Sequence, residues 1–440
     1  MRPIVRRERW GKGSGDALRL AARAKGSSGE RAAAEAPVRL EMPRRIRLWH
    51  AGWVVVAASI MLSVIGVYCI DMAWGMREGD SAFARRQMLF VAVGICAGAA
   101  AMIPHYRLLV AWTWPLAALA TGLLVFVLLP FVPESIVTPR NGARRWINLG
   151  ITDFQPSELA KVVFVCVSAR YLVKRSTYRS LWGLIPPFVI TGVPMALILM
   201  EPNLGTALLF VPSLLAMLVA AGAKIRHIAL AMTMGLAFAF VVAGASLLFA
   251  QRGEYPLLRQ HQVERIQAAI AQFQGDDRYV QDEGFQGKQA MTLIGAGGAI
   301  GRPEATSRAL IHFNRLVEPH NDMIFPVFVN RFGLAGAGVL LGLYAIWLGG
   351  ALAVAGACKD PFGRLIVVGL AAMVASQLTV NVGMTLGLLP ITGITLPFVS
   401  YGGSSLVMLF LTTGLICNVG MRLPERFWKP SFEFDEISDA

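Results

Sequence analysis

The chain has 440 residues, 55% of them hydrophobic and only 15% charged, with a mean hydropathy of +0.56 and a net charge of +14. A charged fraction this far below the ~25% of soluble proteins cannot make a water-facing surface, which excludes a string of soluble domains. The charges are also confined: residues 1–50 hold 13 Lys/Arg and 5 Asp/Glu, and residues 251–322 hold 8 and 9.

Residues 1–50 read as a basic cytoplasmic tail placed immediately before the first apolar run, the positive-inside pattern. Such a tail touches anionic lipid. Its paired arginines, Arg6-Arg7 and Arg44-Arg45, lack the interleaved aromatics of a nucleic-acid face, so no nucleic acid is expected as partner. The stretch from Gly11 to Ala36 has the composition of a disordered segment. No signal peptide is expected, because the first apolar segment is too long and follows too long a polar leader.

Ten segments are apolar enough to cross a bilayer core of about 30 Å: 51–71, 87–103, 108–129, 158–173, 181–200, 204–223, 227–250, 323–349, 364–389 and 399–421. The expectation is an all-α integral membrane protein with both termini cytoplasmic and one large extracytoplasmic loop. Its membrane domain covers 51–422 and is followed by a short cytoplasmic tail, 423–440. Loop charges agree with this orientation, except that Arg77, Arg85 and Arg86 fall outside. The five cysteines are scattered singly and read as small core residues, with no metal or disulfide spacing.

The polar chemistry gathers in a few places. The outer loop 130–157 carries Arg140, Arg144 and Arg145, then Trp146, Gln155 and Ser157. Glu158 and Lys161 follow one turn apart at the start of the fourth span. They read either as an ion pair anchoring a helix end or as functional groups, since ionisable residues in a span are costly. Glu201-Pro202-Asn203 breaks the chain between the fifth and sixth spans. In the 251–322 loop, Ile266, Ala269, Ile270 and Phe273 recur with helical spacing beside Arg259 and Arg265, which suggests an amphipathic helix at the membrane surface. Gly295 to Gly298 reads as a flexible turn. Glu318-Pro319-His320-Asn321-Asp322 then leads into the next span. That places Asp322 at the interface, where partial desolvation raises a carboxyl pKa and suits it to proton abstraction; helix capping is the other reading. Asn330-Arg331 lies inside the same span, where an arginine needs a partner. Asn381 faces Ser400-Tyr401-Gly402-Gly403-Ser404-Ser405, whose small residues let backbones approach closely. A carboxylate, several arginines and a Gly/Ser entry beside lipid suit a negatively charged, lipid-linked substrate.

The segment from Asn381 through Pro390-Ile391-Thr392-Gly393 to Ser400-Tyr401-Gly402-Gly403-Ser404-Ser405 resembles the hallmark of the SEDS family, the RodA/FtsW/SpoVE proteins. Ala143 to Gly150 with Gln155 to Lys161, Gln289 with Ile294 to Gly298, and Glu318 to Phe325 match in the same order. The resemblance covers about residues 50–422. It implies a ten-helix peptidoglycan glycosyltransferase that polymerises lipid II, paired with a class B penicillin-binding transpeptidase. The family's catalytic acid falls on Asp322. Arg144, Arg145 and either Arg265 or Lys288 would stabilise the departing pyrophosphate. The substrate groove would be completed by Trp146, Gln155, Ser157, Glu158, Lys161, Gln289, Gly297, Gly298, Glu318, His320, Asn381, Ser400, Tyr401, Gly402, Gly403 and Ser404. No cofactor is evident, although pyrophosphate leaves room for a divalent cation.

The chain departs from the family at Asn330-Arg331, in place of a Glu-Glu pair, and at Glu201-Pro202-Asn203, in place of Gln-Pro-Asp. One explanation is a relocated charge pair between Arg331 and Glu201. Two other functions stay open at this point: a lipid II flippase using Glu158, Lys161 and the break at Pro202, and a catalytically weak scaffold for a transpeptidase.

Overall fold

The structure is a computed structural model that describes residues 47–74, 81–140, 143–150, 152–254, 256, 263, 267 and 285–422. The basic tail to residue 46, Arg265, the amphipathic stretch 266–273 and the last segment, 423–440, lie outside the described residues.

All ten apolar segments form helices. In chain order these are α1 (Gly52–Trp74), α2 (Ser81–Met102), α3 (Leu108–Leu128), α4 (Pro156–Lys174), α5 (Ile185–Met200), the broken pair α6 (Leu204–Leu208) and α7 (Phe210–Ala220), and α8 (Ile225–Ala250). Two helices of the long loop follow, α9 (Phe285–Gly297) and α10 (Glu304–Phe313), and then α11 (Ile324–Ala357), α12 (Pro361–Thr385) and α13 (Gly403–Met421). Eight helices among the described residues are long and apolar enough to cross a membrane. That is fewer than the ten expected, for two physical reasons. The sixth segment breaks at Leu209, leaving a shorter apolar stretch, Leu204–Ala220. The fourth, α4, has the length but carries Glu158, Lys161, Arg170 and Lys174.

The polar helix α4 is nonetheless interior. It packs against α3, α5, α7, α12 and α13, and Glu158 and Lys161 are both buried. Pro156 opens it at the first helical position, where its missing N–H costs nothing. Elsewhere small residues bring helices together. A Cβ at Gly98 of α2 would lie 2.7 Å from the Phe410 carbonyl oxygen, and one at Gly414 of α13 would lie 2.2 Å from that of Gly98. Without a hydrophobic force between helices in lipid, this close contact is what dispersion needs. At the core, the buried Trp347 indole donates to Ser59 Oγ at 2.8 Å, and Ser59 meets Thr413 Oγ1 at 2.9 Å, tying α1, α11 and α13.

The chain is not wholly α-helical. Residues 130–157 contain a three-stranded antiparallel sheet, β1 (Val137–Arg140), β2 (Ala143–Asn148) and β3 (Asp153–Phe154), in the order β1-β2-β3. Its hairpin is signalled by Asn141-Gly142 between the strands, the dipeptide that two-residue hairpin turns prefer. The two ends of the helical body meet: the Arg47 N–H donates to the Met421 carbonyl at 2.9 Å, and Arg422 donates to the carbonyls of Met102, Ile103 and Pro104. The sheet and the long loop's helices lie towards the opposite end.

Candidate active site

At that opposite end a chain of loop contacts leads to Asp322. Arg145 on β2 donates through Nε to the Glu201 carbonyl at 2.7 Å and also bonds the Pro202 carbonyl, holding the α5–α6 break. Beyond the break, Gly205 presses on the 392–394 loop, where an added Cβ would lie 2.9 Å from the Thr392 oxygen. A Cβ at Gly393 would lie 4.0 Å from Asp322 Oδ2. Asn381 completes the link: its Nδ2 donates to the Asp322 carbonyl at 2.8 Å and to that of Ile394 at 2.6 Å. One side chain of α12 thereby holds both the Asp322 turn and the loop facing it.

Burial raises the Asp322 carboxyl to about 7, and nearby Glu318 adds to the rise; the Asp322 and Met323 N–H groups oppose it. The neighbouring His320 goes the other way. Its ring packs among Trp74, Phe83 and Tyr401 at centroid distances of 5.0–5.5 Å, and burial lowers its pKa to about 4, so it is neutral at physiological pH. The Tyr401 N–H donates to the His320 carbonyl at 2.9 Å, joining the Ser400–Ser405 segment to the Asp322 turn.

That segment is clamped from three sides. Ser400 Oγ accepts from the Leu396 N–H at 2.7 Å, and Gln87 Nε2 donates to the Ser400 carbonyl at 3.1 Å. Ser404 Oγ donates to the Asp153 carbonyl at 2.6 Å and accepts from the Gln155 N–H at 3.2 Å, and a Cβ at Gly403 would meet Phe90 at 3.0 Å. Gly402 caps α13 in extended backbone and offers its N–H to Gln87 Oε1 at 3.4 Å.

Other expected site residues lie further off or have structural partners. Glu158 and Lys161 form a buried ion pair at 2.9 Å, and Lys161 reaches Gln377 Oε1 at 3.5 Å, beside a cavity of only about 20 Å3. Arg144 bonds the carbonyls of Pro130 and Val132, so both loop arginines hold backbone. Trp146 is half-buried on β2, and Ser157 is buried with its hydroxyl unpartnered. Gln289 lends its carbonyl to Asn314 at 2.9 Å. Gly297 packs against the Val329 carbonyl, while Gly298 faces open space at φ +61. Glu318 accepts from Asn321 Nδ2 at 2.7 Å.

The relocated pair between Arg331 and Glu201 does not form. Arg331 donates to Tyr68 Oη at 3.2 Å and to the Arg302 carbonyl at 3.0 Å, and it stacks on Phe332. Tyr68 passes the contact to Glu304, which Arg308 joins to Asp71. The reversed charge at 331 is thus balanced by acids of α1 and α10, nearer than Glu201. Asn330 bonds Ser307 Oγ and the Leu293 carbonyl, tying α9 and α10 to α11. One polar residue escaped sequence reasoning and another was read without its burial. Gln87 looked like one more span residue. Glu201 looked like a turn residue, but it is 1% exposed, neither carboxylate oxygen has a hydrogen-bond partner, and burial lifts it to about 8 against the pull of Arg145.

Comparison with known proteins agrees with this geometry. Residues 50–424 match the family model of the FtsW/RodA/SpoVE cell cycle proteins. The chain is 30% identical over 375 residues to stage V sporulation protein E of Bacillus subtilis, covering 83% of this chain and 95% of that one. It is 30% identical over 377 residues to the probable peptidoglycan glycosyltransferase FtsW of a Geobacter species, covering 84% and 96%. Among solved structures, it matches a chain of a peptidoglycan synthase complex that coordinates polymerization and crosslinking, at 27% identity and a TM-score of 0.70, covering 88% of this chain and 100% of the other. The rod shape determining protein RodA of Thermus thermophilus shares the fold at 24% identity and a TM-score of 0.59.

Proposed function

The chain belongs to the FtsW/RodA/SpoVE family, and from that premise we propose that it polymerises lipid II into glycan strands at the outer face of the cytoplasmic membrane. One arrangement carries the reading: Asp322, its backbone carbonyl held by Asn381 opposite the Gly393 loop, has a buried carboxyl raised to about 7. A pKa near the working pH is what a general base needs, because the group is then often ionised and still basic.

The chemistry requires only one such group. Glycosidases use two carboxylates because their leaving group must be protonated. Undecaprenyl pyrophosphate leaves without a proton. Asp322 takes the proton from the acceptor hydroxyl as that oxygen attacks the donor anomeric carbon, the bond to pyrophosphate breaks, and the configuration inverts. Arg144 and Arg145 lie on the sheet flanking the site, where their charge favours the departing anion even while they hold carbonyls. Among the described residues no group of three or more His, Cys, Asp or Glu side chains is placed to hold a metal. The pyrophosphate itself could bring a divalent cation, and loss of rate in EDTA with recovery in Mg2+ would measure that requirement.

A class B penicillin-binding transpeptidase is the partner we infer, since the matched synthase complex couples polymerization to crosslinking. The flippase reading is disfavoured by α4. Its Glu158–Lys161 pair is closed on itself, and the adjacent cavity of about 20 Å3 has room for about one water, not a sugar headgroup. The test is polymer formation from lipid II by purified protein. Asp322→Asn is expected to lower the rate ~10²–10⁴-fold. Wild-type rates in that variant would refute the assignment.

A further inference from the structure

Beside the Asp322 turn a cleft of about 180 Å3 opens between the end of α1 and α10. Its lining includes Trp74, Leu316 and the polar series Arg308, His312, Arg315 and Glu318. The first two of that series are one turn apart on α10, and the others follow it in the turn leading to Asp322.

The cleft's donors are unevenly committed. Arg308 is held by Asp71 Oδ2 and Glu304 Oε1, both at 2.9 Å, and Glu318 is engaged by Asn321. His312 and Arg315 are exposed, and neither side chain makes an ion pair or hydrogen bond among the described residues. The backbone is unusual at the same place. Arg315 at φ +53 and Glu318 at φ +47 both adopt the left-handed conformation that side-chain-bearing residues rarely take. Such conformations persist where the surroundings over-determine them, and they concentrate at ligand sites. The volume is small against the ~300–1,000 Å3 of a complete small-molecule site, which fits one part of a larger ligand. Asp71 and Glu304 already balance Arg308, which leaves Arg315 and the His312 imidazole to donate to an anion, and an aromatic wall favours the apolar face of a sugar.

We propose that this cleft is a subsite for the anion-bearing headgroup of the lipid-linked substrate, with Arg315 and His312 donating to its phosphate or carboxylate oxygens beside Trp74. The proposal rests on the glycosyl-transfer reading above. It assigns His312 and Arg315 to substrate binding, where neither touches the reacting atoms.

The experiment is steady-state polymerisation of lipid II by the purified full-length chain. Arg315→Ala and His312→Ala are each expected to raise KM about tenfold with kcat within about twofold, since a charge-assisted contact shared by ground and transition states is removed. Arg315→Lys should regain part of the loss. A second substrate, lipid II with its stem-peptide carboxylates amidated, separates the sources of the anion. If the Arg315→Ala penalty disappears there, the group bound is a carboxylate; if it persists, it is the pyrophosphate of the acceptor molecule, which does not leave in the reaction. A KM unchanged within twofold on both substrates, while wild type polymerises and Asp322→Asn does not, overturns this proposal alone. A fall in kcat with KM unchanged also overturns it, by giving the two residues a structural role. Absence of polymer from wild type overturns the glycosyl-transfer reading and this one with it.

Discussion

Glu201 and Asp322 are both carboxyls raised by burial, to about 8 and about 7, yet they act on the protein with opposite sign. As the proposed base Asp322 acts only when ionised, so kcat/KM should climb with pH through about 7 and then level off, read from initial polymerisation rates. Glu201 instead loads the fold. Its proton is held in the native state up to about 8 but released near pH 4–5 in the unfolded chain. Its contribution to stability is therefore intact below that lower value and is lost as pH rises towards 8, where the penalty levels off. Glu201→Gln keeps the shape and removes the charge. It should match wild type at pH 4–5 and become more stable by about 1–3 kcal/mol near pH 8, measured by thermal unfolding in detergent. An advantage that shrank with rising pH would show the carboxylate to be paired. The sequence showed Glu201 as a turn residue because burial by distant loops leaves no local pattern; Asp322 was readable because it abuts an apolar run.

At the scale of the element, α11 does two jobs and Gly333 divides them. The stretch from Ile324 carries the site end and the stretch to Ala357 crosses the bundle, with Gly333 at φ +68 and ψ −170 between them. The break frees backbone N–H groups that a continuous helix would have used internally. Leu334 and Ala335 donate to the Gly298 and Ala299 carbonyls at 2.9 Å, and Arg302 donates to the Arg331 carbonyl at 3.2 Å. The turn after α9 is thereby fastened to α11 by backbone alone, which explains why glycines recur at 297, 298, 301 and 333. A flexible phosphate loop would have the same composition, so composition could not distinguish them. A Cβ at Gly333 would lie 2.3 Å from the Gly301 nitrogen. Gly333→Ala should cost at least about 1–3 kcal/mol, seen as a lowered Tm. Gly342→Ala on the same helix meets nothing within 4 Å and should leave Tm unchanged or raise it slightly. Equal effects would remove the argument for a built break.

Across the whole molecule, sequence reasoning reached whatever depends on solvent and missed what depends on contact. Apolar runs marked ten segments that form helices, eight of them long and apolar enough to cross a membrane among the described residues, because lipid admits few polar side chains. The motif order brought out Asp322, Asn381 and the Ser400–Ser405 entry, which the structure joins through Asn381 and Tyr401. The same logic left the charges of α4 open between an ion pair and functional groups, and the structure has them solvated by the protein itself through Glu158, Lys161 and Gln377. It also gave Arg331 a distant partner where Tyr68 and Glu304 stood closer. Orientation is the remaining molecular property. The Arg47–Met421 backbone bond brings both ends of the helical body together, so the two tails must leave on one side of the membrane. By the positive-inside bias, the 13 basic residues of the first 50 predict that side to be the cytoplasm. Green fluorescent protein, which matures only in the cytoplasm when exported unfolded, should therefore fluoresce when fused at either terminus and stay dark when inserted after Gly253. Alkaline phosphatase at the same three positions should give the inverse pattern. Opposite signals from the two termini would break the even-span topology and with it the placement of Asp322 at the outer face.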